Sequence, residues 1–223
     1  MTRPIELALA AALALLLDLD LACPPPIPRD APGAVVVARD GTPLRTWPDA
    51  DGIWRQPVTA EEVSPLYLQA LLGYEDRWFY WHPGVNPVAL ARAAAQWLRH
   101  GRIVSGGSTL TMQVARLIDP PPTGSSRSLR AKARQIARAL QLELRLSKRE
   151  ILTLYLNRAP MGGIVEGVEM ASRGYLGRPA LHLSAAEAAL LAALPQAPSR
   201  LRPDRSPAAA QAARDKVLQR LQD

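Results

Sequence analysis

The sequence predicts a mainly α-helical domain with a small β-hairpin near its N-terminus. Three observations carry this expectation: three capping boxes, two prolines at helix-opening positions, and a single β-rich run at residues 34–38. In the capping boxes Thr59 precedes Glu62, Ser147 precedes Glu150, and Ser184 precedes Glu187. Each hydroxyl can accept an orphan backbone N–H while the glutamate reaches back to the cap. Pro87 suits the first turn of a helix running to about His100, where Gly101 ends it, and Ser206-Pro207 opens a last helix carrying Val217, Leu218 and Leu221. The β element reads Ala-Val-Val-Val-Ala, then an Asp40-Gly41 turn, with Pro43 to Trp47 as the return strand. Pro120-Pro121-Pro122 separates two helical stretches in the middle of the chain.

At 223 residues, 48% of them hydrophobic, the chain can bury a real core. The formal net charge of +7 favours acidic partners. Nucleic acid is set aside because no recognised reading motif is present. One cysteine, Cys23, excludes an intramolecular disulfide, and His82, His100 and His182 show no zinc spacing.

Residues 1–23 read as a weak signal-anchor-like segment. Arg3 precedes an unbroken apolar run from Leu7 to Leu17. Eleven residues rise only about 16 Å as a helix, against roughly 30 Å of bilayer core. Extending the run brings in Glu6, Asp18 and Asp20. Residues 24–32 form a proline-rich spacer.

Three segments carry chemistry. The first runs from Gly73 to Gly84 and holds Glu75, with five of the eleven aromatic residues between Tyr74 and Trp81. A carboxylate beside aromatic rings loses hydration, which suits it to taking a proton. The plainer reading makes the rings core and pairs the acids with Arg77. The second runs from Gly106 to Arg116. Its paired glycines before Ser108 and Thr109 let backbone approach a ligand, and a helix N-terminus follows. It lacks the ending of a P-loop and is equally an ordinary capped helix start. The third, Arg127 to Arg149, holds eight Lys or Arg against one acid, Glu143. Helical periodicity puts Leu129, Ala133, Ile136, Leu140 and Leu144 on one apolar stripe, and Arg130, Arg134, Arg138 and Arg145 on the opposite side, a solvated or headgroup-facing surface. Lys132 falls on a flank with Gln135. It is read either as a phosphate-seeking lysine or as a snorkelling one.

Taken together and in order, these segments resemble glycosyltransferase family 51, the peptidoglycan glycosyltransferase module of class A penicillin-binding proteins. Glu75, Asp76, Phe79, His82 and Gly84 fit its first signature. Gly106, Gly107, Ser108, Thr109, Thr111 and Gln113 fit the second, with Arg116 at a usually basic position. Arg127 and Lys132 keep the spacing of the third. Glu150 to Asn157 with Gly162-Gly163, and Tyr175-Leu176-Gly177, follow as the fourth and fifth. The resemblance covers about residues 33–202, with residues 203–223 left as a C-terminal helix. The wording Leu-Pro-Gln-Ala-Pro-Ser-Arg-Leu at 194–201 is most like the penicillin-binding protein 1C branch.

The resemblance implies a lysozyme-like helical lobe, a smaller membrane-associated lobe, and a location at the outer, periplasmic face of the bacterial inner membrane. It implies polymerisation of lipid II with release of undecaprenyl pyrophosphate and inversion at the anomeric carbon. Glu75 would act as base. Ser108, Thr109, Gln113, Arg116, Arg127, Lys132 and Gln135 would bind sugar or pyrophosphate. The partners it implies are lipid II, the growing glycan, the membrane surface and other cell-wall synthesis proteins. It allows a divalent cation, Mg or Mn, without a sequence motif to hold one.

There are two departures. Gln135 stands where most members carry a second glutamate, and no Ser-x-x-Lys or Lys-Thr-Gly transpeptidase motif occurs before Asp223. Two other classes compete: a glycan-cleaving lytic enzyme, disfavoured by the cationic residues, and a non-catalytic lipid II-binding scaffold, favoured by Gln135.

Overall fold

The computed structural model describes residues 3–28, 33–40, 43–100, 107–122 and 128–222. It is mostly helical, as expected, and divides into two compact units. One contains residues 1–28 and 80–151, the other residues 29–79 and 152–223.

The first unit is built from α1 (Arg3–Ala22), α3 (Pro87–His100), α4 (Leu110–Ile118) and α5 (Leu129–Arg145), and it contains the start of α6 (Lys148–Arg158). Helix α3 begins and ends where Pro87 and His100 predict. Thr109 caps α4 by accepting from the Met112 N–H at 3.1 Å, and Ser128 caps α5 by accepting from Ala131 at 3.1 Å. Ser147 and Glu150 close the expected box at the start of α6, the Ser147 N–H donating to the carboxylate at 2.7 Å. Leu110, Thr111, Met112, Val114 and Ala115 of α4 are all buried, packed on Ala139 and Leu142 of α5. Fully burying an aliphatic side chain stabilises by roughly 1.5–3 kcal/mol.

The apolar stripe expected on α5 is not the buried one. Leu129 is 86% exposed and Leu144 47%, whereas Arg138, Ala139, Gln141 and Leu142 are buried. Arg138 was expected on a solvated or headgroup-facing surface, but it is buried and donates to Asp119, to the Cys23 carbonyl and to Gln141. Arg134 and Arg145, from the same predicted face, pair with Asp119 and Asp20. Polar partners on α1 and at the end of α4 turn the helix, because a buried guanidinium with several acceptors outweighs a modest aliphatic stripe.

Helix α1 spans 20 residues, longer than the apolar run within it, and Leu7, Leu13, Leu15, Leu17, Leu19 and Leu21 are exposed on it. Among the described residues no helix is long and apolar enough to cross a membrane. Asp20, the acid that interrupts the apolar run, is buried against Arg145.

The second unit carries the hairpin β1 (Val35–Val37) and β2 (Pro43–Thr46), antiparallel, with Val35 opposite Thr46. The turn residue Gly41 lies outside the described residues. Its core is α2 (Pro65–Glu75), α8 (Ala185–Ala193) and α9 (Pro207–Gln222). Tyr67, Ala70, Leu71 and Tyr74 of α2 meet the alanine-rich face of α8, while Ala210 and Val217 anchor α9. Small residues on α8 let the helices approach closely. The Ser184 box caps α8, with Ser184 N–H to Glu187 at 2.9 Å. The Thr59 box forms too, but opens only a single turn at Ala60–Glu62.

A second antiparallel pair, β3 (Pro160–Gly162) and β4 (Val165–Glu166), precedes α7 (Val168–Ala171). The fourth and fifth motifs hold this region. Asn157 clamps the backbone of Val58 through both amide atoms at 2.8 Å, and Tyr175 donates to the Met161 carbonyl at 3.1 Å. Gly162 has φ +120°, and a Cβ there would come 2.6 Å from Arg202.

Candidate functional site

In the second unit Glu75 ends α2, half-buried, and the next residue, Asp76, closes the helix by donating its N–H to Leu72 O at 2.9 Å. The Gln196 amide nitrogen donates to Glu75 Oε1 at 2.9 Å, and the Tyr74 hydroxyl donates to Gln196 Oε1 at 3.2 Å. Arg220 of α9 lies 5.6 Å from the Tyr74 ring centre. Tyr67, fully enclosed on the same helix, has its phenol pushed up by burial and, secondarily, by the Glu75 charge.

The aromatic segment does not wrap Glu75 as the sequence suggested. Tyr74 and Phe79 are buried, but Trp78, Tyr80 and Trp81 are 58%, 56% and 83% exposed. Consecutive residues after a helix end point in different directions, so a dense aromatic run cannot all enclose one carboxylate.

The first unit brings together Ser108, Lys132 and Gln135. Lys132 Nζ donates to Ser108 Oγ at 2.8 Å and to Gln135 Oε1 at 3.1 Å, while Gln135 Nε2 donates to the Met112 carbonyl at 2.6 Å. Among the described residues Lys132 has no carboxylate partner. Burial, and then the charge of Arg116, hold its ammonium below the usual lysine range. Lys132 is therefore not a snorkelling surface lysine, nor, among the described residues, part of an ion pair. It is a half-buried cation held by two neutral oxygens. Arg116 is exposed and Gln113 half-buried on α4.

Thr109 differs from expectation. The residue is 2% exposed and its hydroxyl is committed within the protein, accepting from Met112 N–H and donating to Gly84 O at 2.5 Å. It ties the end of the first motif to the second, so its part is structural. The third-motif residue Arg127, and Gly106 of the second, lie outside the described residues.

Gly84 explains its own place in the first motif. Its φ is +81°, and a Cβ would meet Glu143 Cγ at 2.8 Å and Ala139 O at 2.9 Å. Glu143 accepts from Thr111 at 2.6 Å and from Lys148 at 2.7 Å, and Lys148 also donates to His82 O at 2.6 Å. This polar knot fixes the loop from His82 to Gly84 against α4 and α5.

Among the described residues no group of three or more His, Cys, Asp or Glu gathers in a way that would hold a metal ion. The divalent cation allowed by the resemblance thus finds no donor set of that kind there.

Sequence reasoning did not single out Gln196 or Glu143. Gln196 stood in the quoted 194–201 wording, but nothing local links it to Glu75, 121 residues away. Glu143 offered one signal, as the lone acid in a strongly basic helix.

Comparison with known proteins shows the family. A family model described as Transglycosylase matches residues 40–222. Penicillin-binding protein 1C of Escherichia coli is 64% identical over 198 residues, covering 89% of this chain and 25% of that protein. Penicillin-binding protein 1A of Pseudomonas aeruginosa is 41% identical over 167 residues, covering 75% of this chain and 20% of that protein. A crystal structure of penicillin-binding protein 1A from Haemophilus influenzae aligns with a TM-score of 0.44 at 20% identity, over 86% of this chain and 18% of that one. The chain thus spans about a quarter or less of the length of the relatives it matches. It belongs to the transglycosylase family of the penicillin-binding proteins, the peptidoglycan glycosyltransferases.

Proposed function

We propose that this domain polymerises lipid II into glycan strands at the outer, periplasmic face of the inner membrane. The donor is a growing glycan on undecaprenyl pyrophosphate and the acceptor is lipid II. Glu75 takes the proton of the acceptor sugar 4-hydroxyl. The freed oxygen forms a bond to the donor anomeric carbon from the face opposite the leaving group, so that centre inverts. The bond from that carbon to phosphate oxygen breaks, and the lipid pyrophosphate departs with the electron pair.

The departing group gathers negative charge, and prepositioned cations aimed at developing charge are usually the largest catalytic contribution. Lys132, with Arg116 and Arg127, supplies them in this reading, while Ser108, Gln113 and Gln135 orient donor or cation. A magnesium or manganese ion would arrive on the pyrophosphate itself, its natural ligand. The membrane surface and neighbouring cell-wall synthesis proteins are the partners this reaction calls for, and anchoring through α1 belongs to the same proposal.

The observation that carries the reading is the Lys132 cluster, a partly desolvated ammonium held by neutral oxygens and by no described carboxylate. Such a charge is kept for an anionic ligand. Turnover of labelled lipid II in detergent tests it. Long strands from the wild type, and none from a folded Glu75→Gln variant, are expected. Polymerisation at wild-type rate by Glu75→Gln would remove Glu75 from the base role. Binding without turnover by the folded wild type would favour a scaffold.

A further inference from the structure

We infer that Gln196 is a positioning residue for Glu75, with Tyr74 fixing which way its amide faces. The inference rests on the proposed role of Glu75 as base and adds the device that orients it.

A carboxylate can only accept hydrogen bonds, so the amide nitrogen of Gln196 must face Glu75 and the amide oxygen must face away. The oxygen is met by the Tyr74 hydroxyl, whose own side chain is buried beneath Arg220. The relay therefore has one sense: Tyr74 O–H to Gln196 Oε1, and Gln196 Nε2–H to Glu75 Oε1. Tyr74 and Glu75 are adjacent at the end of α2, while Gln196 arrives on the turn Leu194–Gln196 that follows α8. That turn is stiff. Leu194 is fully buried, Pro195 sets its backbone, and Ala197 N–H returns to Leu194 O at 3.1 Å.

A neutral donor at this point fixes one carboxylate oxygen without the full charge of a lysine or arginine, which would hold the carboxylate ionised and weaken it as a base. Gln196 touches no reacting atom and acts through Glu75. Among the described residues, charged or titratable groups near Glu75 include Asp76 and Arg77 beside it in sequence, Tyr67 on α2, and Arg220 of α9 over the adjacent Tyr74 ring. Helix α8 contributes Glu187, which is taken up by Ser184 and Arg178. Tyr67 stays neutral because burial and the Glu75 charge raise its phenol. Asp76, buried and next in sequence to Glu75, serves as the carboxylate control.

The test is the pH dependence of lipid II polymerisation for the wild type, Gln196→Ala, Tyr74→Phe, the double variant, Asp76→Asn and Glu75→Gln, with a melt for each. Loss of a hydrogen bond to the charged form moves the acid limb to higher pH. Gln196→Ala is expected to shift it up by about half to one pH unit and to lower kcat by roughly tenfold at little change in KM. Tyr74→Phe should shift it the same way by less, and the double variant should be no worse than Gln196→Ala alone. Asp76→Asn should leave the size of the Gln196→Ala shift unaltered. A folded Gln196→Ala with an unmoved acid limb and kcat within about twofold of the wild type, while Glu75→Gln is dead, overturns the positioning role alone. An active Glu75→Gln overturns the base assignment and the positioning role together.

Discussion

Replacing Gln135 tests the least typical feature of the site. Its amide makes two bonds, donating to Met112 O at 2.6 Å and accepting from Lys132 at 3.1 Å. Gln135→Ala loses both, at about 0.5–1.5 kcal/mol each, or roughly 1–3 kcal/mol in all. For a chain of this size that lowers Tm by about 2–4 °C per kcal/mol. Gln135→Glu loses only the donation to Met112, since an ionised carboxylate cannot donate. It gains an ion pair with Lys132 of about 0.2–1 kcal/mol, so its stability should stay within about 1 kcal/mol of the wild type.

The rate profile separates the two variants further. Lys132 now titrates below the ordinary lysine range because of burial and Arg116, so its charge is lost early as pH rises. A carboxylate at 135 favours the charged form and should move the basic limb of polymerisation to higher pH, whereas alanine should not. The assay is a melt together with lipid II turnover between neutral and alkaline pH. Wild-type melting and turnover in Gln135→Ala, or an unmoved basic limb in Gln135→Glu, would refute the view that Gln135 holds Lys132.

Three further outcomes follow from the geometry. Lys132→Ala should leave the fold standing and weaken use of the pyrophosphate-linked donor by at least tenfold, read as initial rates against donor concentration; unchanged donor kinetics would refute its phosphate role. Gly84→Ala combines a left-handed φ of +81° with contacts under 3.0 Å to Glu143 and Ala139, and should cost about 3 kcal/mol by chemical denaturation. Asp119 is held below the usual carboxylate range: burial opposes this, but hydrogen bonds from Arg138 and Arg134 outweigh it. Its stabilisation, about 2 kcal/mol for charge-assisted bonds, is therefore present above the unfolded value near 3.9 and lost as pH falls through the lower folded value. Asp119→Asn should thus melt lower than the wild type at pH 7, with the gap closing below about pH 4.

Much of this protein was set by local chemistry and could be read directly. Proline at a first turn and a hydroxyl three residues before glutamate act over one helical turn, so Pro87, Ser147, Ser184 and Pro207 mark their helices without reference to the rest of the chain. The ordered motifs likewise identified the family, because residue type and spacing survive as sequence.

Orientation and partnership were different. The face α5 buries was decided by Asp119, Cys23 and Gln141, whose acceptors turn Arg138 inward against the aliphatic periodicity. Thr109 looked like a ligand-facing hydroxyl until its two bonds were placed, and Gly84 gained its reason only from Glu143 and Ala139 on another helix. Above all, Gln196 meets Glu75 across 121 residues of chain. A hydrogen bond acts over about 3 Å of space and carries no record of sequence distance, so only the folded chain could bring that pair together.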